Sequence, residues 1–338
     1  MVDTFSGWAG RYTWRMQPVS IIATELNEIG DIARMVESLL RQEPAAAEVI
    51  IVDGGSTDGT WEWLEETALR EPKLKAIRDE SCSLRRCAGP ISRGRNVAIA
   101  AARSTIIACA DAGCRYAPDW LGNLAAGIAA GKAEYALGGT CLDPEGSTPW
   151  DVASAPFFSV RLSPLEQTKS CTARSMAFTR ELWQRIGGFP EDVFVGEDTL
   201  FDLEARRVTK PDFVTNAKAI YRPRNTFRSA CAQMARYAVS DGQAGVRKGR
   251  LVRNVVRCLL EVATLAALKW TAWPLVFVVL LEAWYAFHRD WRFLWRFGLR
   301  AVAARVLYSV AVPWLVAVNQ IRGSLSRRPV TNRQNAVS

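Results

Sequence analysis

The sequence predicts an α/β protein with a doubly wound, mostly parallel sheet, followed by an α-helical hydrophobic C-terminal region. Two observations carry this. Buried-type strands alternate with amphipathic helices through the first half of the 338 residues. The charge is also split: residues 247–338 hold 15 Lys+Arg against 3 Asp+Glu, whereas residues 1–246 hold 28 against 31.

The elements follow in order. VSIIATE (19–25) is an apolar, β-rich run, and DIARMVESLLRQ (31–42) has helical spacing at Ile32, Met35, Val36 and Leu39. AEVIIVDGG (47–55) is a second strand ending in Asp53, and STDGTWEWLEETALREP (56–72) supplies a cap, a helix and a Pro stop. KLKAIRD (73–79) is a third strand, SRGRNVAIAAAR (92–103) an Ala-rich helix, and TIIACAD (105–111) a fourth strand. The pattern loosens from about 140 to 230, where residues 172–208 read as strand, helix, Gly-Gly turn, loop, and a helix starting near Glu197. Ligands of doubly wound sheets sit beyond the carboxyl ends of the strands. Asp53 and Asp111 both fall at such ends, directly before turn residues.

Composition narrows the chemistry. With 49% apolar residues the chain can bury a sizeable core. Its eight cysteines (82, 87, 109, 114, 141, 171, 231, 258) form no C-x-x-C pair and its single His is His288. A mixed Cys/His zinc site and a His-dependent hydrolase mechanism are therefore excluded as readings, and reduced thiols are expected. MVDTFSGWAGRYTWRMQP is not a signal peptide, which leaves the globular part expected in the cytoplasm.

Past Lys248 the apolar runs 270–287 and 302–318 are each at the short end of a bilayer span. Between them Trp291, Leu294, Trp295, Gly298, Leu299 and Val302 share a helical face, with Arg289, Arg292, Arg296 and Arg300 on the adjoining one. A basic, Trp-rich, apolar region suits an anionic membrane surface better than nucleic acid. A spanning hairpin, interfacial helices and a helical subdomain packed on the core all remain open.

Each polar motif also has a plain structural reading. VDGGSTDGT (52–60) serves as a turn capped by Ser56 or Asp58, or as a close approach to an anionic ligand. GEDTLFDLEAR (196–206) opens a helix with two acids, which favours the helix dipole on its own.

Taken together, VSIIATELNE, VIIVDGGSTDGT, GRNVAIAAA, DAGC and GGFPEDVFVGED stand in an order that resembles family 2 glycosyltransferases with the GT-A fold. The likeness covers about residues 17–245 and is nearest to polysaccharide-assembly transferases with a C-terminal membrane region. It implies an N-terminal extension (1–16), a catalytic domain (17–245), a helical membrane-associated region (246–322) and a tail (323–338).

The resemblance implies roles. Thr24, Glu28 and Asp53 line the nucleoside; Arg95 faces the diphosphate; Asp111 touches the metal or ribose. Asp198 is the catalytic base and Glu197 orients the acceptor. QMARY (233–237) resembles a Gln-x-x-Arg-Trp motif of processive members and places Arg236 and Tyr237 near acceptor or diphosphate. Gly54 and Gly113 stand where the family pattern has further acids.

The implied activity is inverting transfer of a sugar from a nucleoside-diphosphate donor to a hydroxyl of a lipid-linked or growing glycan. It implies donor-dependent Mg²⁺ or Mn²⁺, and an inner-membrane location with the catalytic domain in the cytoplasm. Inversion needs one carboxylate base and charge compensation on the diphosphate, with no covalent nucleophile. The rival readings are a nucleotidyltransferase, which calls for a Gly-rich basic loop where TELNEIGD is acidic, and a catalytically inactive membrane scaffold.

Overall fold

The computed structural model describes residues 17–143, 147–160, 172–223, 226–267 and 297–326, with five single positions between 276 and 294. The expected extension 1–16, most of the apolar run 270–287, and the tail from 327 lie outside them.

The first half follows the expected alternation. Strands β1 (Val19–Glu25), β2 (Glu48–Asp53), β3 (Leu74–Arg78) and β4 (Ile106–Cys109) are joined by helices α1 (Ile32–Leu40), α2 (Thr60–Arg70) and α3 (Pro90–Ala101). All four strands are parallel, in the spatial order β3-β2-β1-β4. Being covered on both faces, β2 is buried at every position, as parallel strands require. Ile21, Ala23, Val49 and Ile51 pack with Met35, Leu39 and Leu64 on one face. Ile22, Ile50, Val52 and Ile107 pack with Ala98 and Ile99 of α3 on the other.

The second half departs from a mostly parallel sheet. After β5 (Cys114–Tyr116) and α4 (Trp120–Ala129), strand β6 (Tyr135–Leu142) leads to α5 (Pro149–Ser154). Then come β7 (Met176–Thr179), α6 (Arg180–Arg185), α7 (Glu197–Val208) and β8 (Asp212–Tyr221). The eight strands run β3-β2-β1-β4-β7-β6-β8-β5. β7 is antiparallel to both β4 and β6, β8 is parallel to β6, and β5 is antiparallel to β8. The sheet is therefore mixed. The sequence pattern obscured this because β6 carries Gly138 and Gly139, where its register with β8 shifts. Strand, helix and a positive-φ Gly187-Gly188 turn before α7 occur as the pattern predicted.

Three long helices follow: α8 (Phe227–Ala244), α9 (Lys248–Ala267) and α10 (Gly298–Leu325). α10 lies on α8 and α5. A Cβ on Gly323 would stand 2.0 Å from the Val239 carbonyl oxygen, and one on Gly242 2.1 Å from that of Gln320. The two helices thus touch backbone to backbone. Tyr308 packs among Trp150, Phe157 and Phe227. Buried Arg305 donates to the carbonyls of Ala153 (2.8 Å) and Val152 (3.3 Å) at the end of α5, where a helix presents free carbonyls.

Candidate active site

The site forms at the carboxyl ends of β1, β2 and β4. Asp53 ends β2 and is fully buried. Its Oδ1 accepts from the backbone N–H of Gly55 (2.8 Å) and Ser56 (2.9 Å), which fixes the turn. Its Oδ2 is buried with no partner among the described residues. The two adjacent loops are laced together: the Asn27 N–H donates to Ser56 Oγ (2.8 Å), that of Thr57 to Asn27 Oδ1 (2.9 Å), and that of Glu28 to Thr60 Oγ1 (2.9 Å). Asp58 also holds Thr60 through its N–H and hydroxyl, whereas the N-cap of α2 is Gly59, so neither Ser56 nor Asp58 is the cap.

Steric limits account for both glycines that depart from the family pattern. A Cβ on Gly54 would lie 2.6 Å from the Cys82 carbonyl oxygen. Gly113 has φ +70°, and a Cβ there would meet the Tyr221 ring at 3.5 Å. Thr24 lies against α3, where a Cβ on Gly94 would come within 2.2 Å of its hydroxyl.

Arg95, on α3, is 2% exposed. Its Nη1 donates to Glu197 Oε1 and its Nη2 to Asp111 Oδ1, both at 2.6 Å. Burial opposes its charge, and Asp111 and then Glu197 more than offset that, so the guanidinium stays protonated. Burial lifts the Glu197 carboxyl above its usual range while Arg95 pulls it down. Arg95, expected to face a diphosphate, and Glu197, expected to orient the acceptor, are thus joined in a clamp in which the guanidinium bridges two carboxylates.

Asp198, one residue on, is half-exposed at the start of α7, its Oδ1 accepting from the Thr199 N–H (2.6 Å). Asp111 is 29% exposed at its side chain and its N–H donates to the Tyr116 hydroxyl (2.9 Å). On α8, Arg236 is exposed. Half-buried Tyr237 accepts from Gln233 Nε2 (2.9 Å) and packs on Phe158. Burial raises its phenol and Tyr221 adds to this, while Arg174 opposes it.

Residues 20–187 match the family model described as Glycosyl transferase family 2. This segment is a family 2 glycosyltransferase domain. The mannosyltransferase PcManGT from Pyrobaculum calidifontis, solved in complex with GDP-Man and Mn²⁺, is similar in fold. Its TM-score is 0.61 at 20% identity, over 88% of each chain. Two curated proteins are each 34% identical over shorter stretches. One is the uncharacterized glycosyltransferase EpsJ of Bacillus subtilis strain 168, over 93 residues, 28% of this chain and 25% of its own length. The other is the UDP-Glc:alpha-D-GlcNAc-diphosphoundecaprenol beta-1,3-glucosyltransferase WfaP of Escherichia coli, over 87 residues, 25% of this chain and 34% of its own length. The match therefore spans only a quarter to a third of the length of these relatives.

Two further residues near the strand ends were not singled out from sequence. Glu25 ends β1 beside Asp53, is 3% exposed, and among the described residues has no partner on either carboxylate oxygen. Burial raises its pKa well above the ordinary value, reinforced by Glu28, Asp111 and Asp53. An acid closing an otherwise apolar strand was its signal. Arg174, just before β7, is 9% exposed; both of its Nη atoms donate to the Phe158 carbonyl at 3.2 Å. Its guanidinium lies 4.4 Å from the centroid of the Tyr221 ring. A cation leading directly into the buried run SMAF was its signal.

Proposed function

We propose that the protein is an inverting glycosyltransferase that moves a sugar from a nucleoside-diphosphate donor to the hydroxyl of a lipid-linked or growing glycan. One observation carries the reading: of the two acids opening α7, Glu197 is consumed by Arg95 while Asp198 remains half-exposed beside the strand ends. A carboxylate so placed can accept the acceptor's proton as its oxygen attacks the anomeric carbon. The electron pair of the breaking bond leaves with the diphosphate. The orphaned Oδ2 of Asp53, with buried Glu25 beside it, supplies acceptors for N–H groups of a nucleobase. Gly54 does not favour an inactive relative, because a Cβ there would meet the Cys82 carbonyl oxygen.

A divalent ion fits only in a limited way. Asp111 Oδ1 is engaged by Arg95, Gly113 offers no ligand, and no group of three His, Cys, Asp or Glu side chains converges among the described residues. Asp111 alone would hold Mg²⁺ or Mn²⁺, with the donor's phosphates and water as the remaining ligands. Such an ion, when bound, neutralises diphosphate charge.

α10 is long and apolar enough to cross a membrane, yet half of its apolar window is buried inside the protein. Its outward residues include Val306, Leu307, Val310, Trp314, Val318 and Ile321, and α9 exposes Val252, Val256, Leu259 and Leu260. With the basic charge of this region, that surface supports helices lying on an anionic inner membrane, the catalytic domain facing the cytoplasm.

The test is a paired substitution assayed over a panel of nucleotide sugars. Asp198→Asn should lower turnover by about 10²–10⁴-fold with an unchanged Tm. Glu197→Gln should instead destabilise the fold by about 3–5 kcal/mol, because Arg95 keeps its charge with one partner gone. Full turnover by Asp198→Asn would overturn the proposal.

A further inference from the structure

We propose that Arg174 binds the diphosphate of the donor and receives its charge as the sugar departs. The inference rests on the donor class proposed above and assigns a role left open there. A departing diphosphate needs positive charge, and Arg95 has none to spare. Its guanidinium is enclosed and paired with Asp111 and Glu197, each at 2.6 Å. Asp198 stands near it as a further carboxylate. Beyond any divalent ion on Asp111, a second cation is needed to offset the charge of the leaving group in so acidic a surround.

Arg174 is placed to be that cation. β4 and β7 pair antiparallel, Cys109 opposite Met176 and Ala108 opposite Ala177. Past that last pair the chain before β7 turns as a short 3-10 segment, Ala173–Ser175, which carries Arg174 near the carboxyl end of β4 that leads to Asp111. The Tyr221 ring ties the two sides together, lying against the Gly113 position on one hand and under the Arg174 guanidinium on the other. The charges of Asp111 and Arg174 also interact, the carboxylate favouring the protonated guanidinium.

Its bonding state sets Arg174 apart from Arg95. No carboxylate among the described residues forms an ion pair with it, and its only hydrogen-bond acceptor there is the Phe158 carbonyl. A guanidinium has five N–H donors in a planar fork that matches phosphate oxygens. A buried cation held by one carbonyl and one ring is costly unless an anion completes it. The carbonyl and the ring fix the fork in place, so little freedom is lost when phosphate binds.

The experiment measures affinities of the full chain for uridine, guanosine and their diphosphates by calorimetry, with and without Mn²⁺. The ratio of diphosphate to nucleoside affinity reads the phosphate contribution. Arg174→Gln should reduce that ratio by about 10-fold or more, with and without Mn²⁺, while nucleoside affinity is kept. Arg174→Lys, which keeps the charge but not the fork, should reduce it less, by a few-fold, and decides the matter if the Gln variant does not fold. An unchanged ratio in a folded variant overturns the role of Arg174. A wild-type chain that binds the diphosphates no better than the nucleosides overturns the donor reading itself, and this role with it.

Discussion

Glu25 shows most directly what a single side chain contributes to this site. Its carboxyl is buried, without a partner, and holds its proton well above the ordinary value of 4.5, first through burial and then through Glu28, Asp111 and Asp53. The folded state therefore binds this proton more tightly than the unfolded chain. The resulting stability is full below the ordinary value and is lost as pH rises through the raised one. Glu25→Gln should raise Tm at pH 8 relative to wild type, with the gain vanishing near pH 4. A gain of equal size at both pH values would refute this account. Gly54 makes the opposite point, since its identity is set by a neighbour 28 residues away. Gly54→Asp, which restores the family's acid, should cost about 1–3 kcal/mol through its clash with the Cys82 carbonyl, measured by denaturant unfolding. The two carboxylates that bracket Arg95 lie 16 and 102 residues from it, which is why a motif reading could not name them as its partners.

At the scale of elements, local pattern was informative wherever an element buries one face by its own periodicity. α1 presents Ile32, Met35, Val36 and Leu39 to the core, the four positions its spacing marks out. β1 matches its expected bounds for the same reason. β6 and β8 escaped because they pair across a bulge, with glycines in one and half-buried polar residues in the other. The crossing of α8 and α10 was equally hidden: Gly242 and Gly323 read as ordinary helical glycines until the helices meet. Gly323→Leu should force them apart, costing on the order of 1–3 kcal/mol, with faster proteolysis at the α10 end as the readout. An unchanged cleavage pattern would show that the close approach matters little.

For the whole molecule, the charge split and the exposed apolar faces of α9 and α10 point in one direction. The full chain should cosediment with vesicles containing anionic lipid and bind zwitterionic vesicles far less. Part of the binding should survive high salt, because apolar burial is not screened. Equal binding to both vesicle types would remove the electrostatic part of this reading. The amino-acid sequence by itself determined the alternating first half, the strand-end placement of Asp53 and Asp111, the two acids of α7 and the basic, apolar C-terminal end. All of these are local in the chain: periodicity, turn chemistry and composition act over a few residues. Only the tertiary structure decided that Glu197 pairs with Arg95, why glycine occupies position 54, and that α10 rests on α8 and α5. Those outcomes depend on ion pairs and steric contacts between residues far apart in sequence, whose partners no local pattern names.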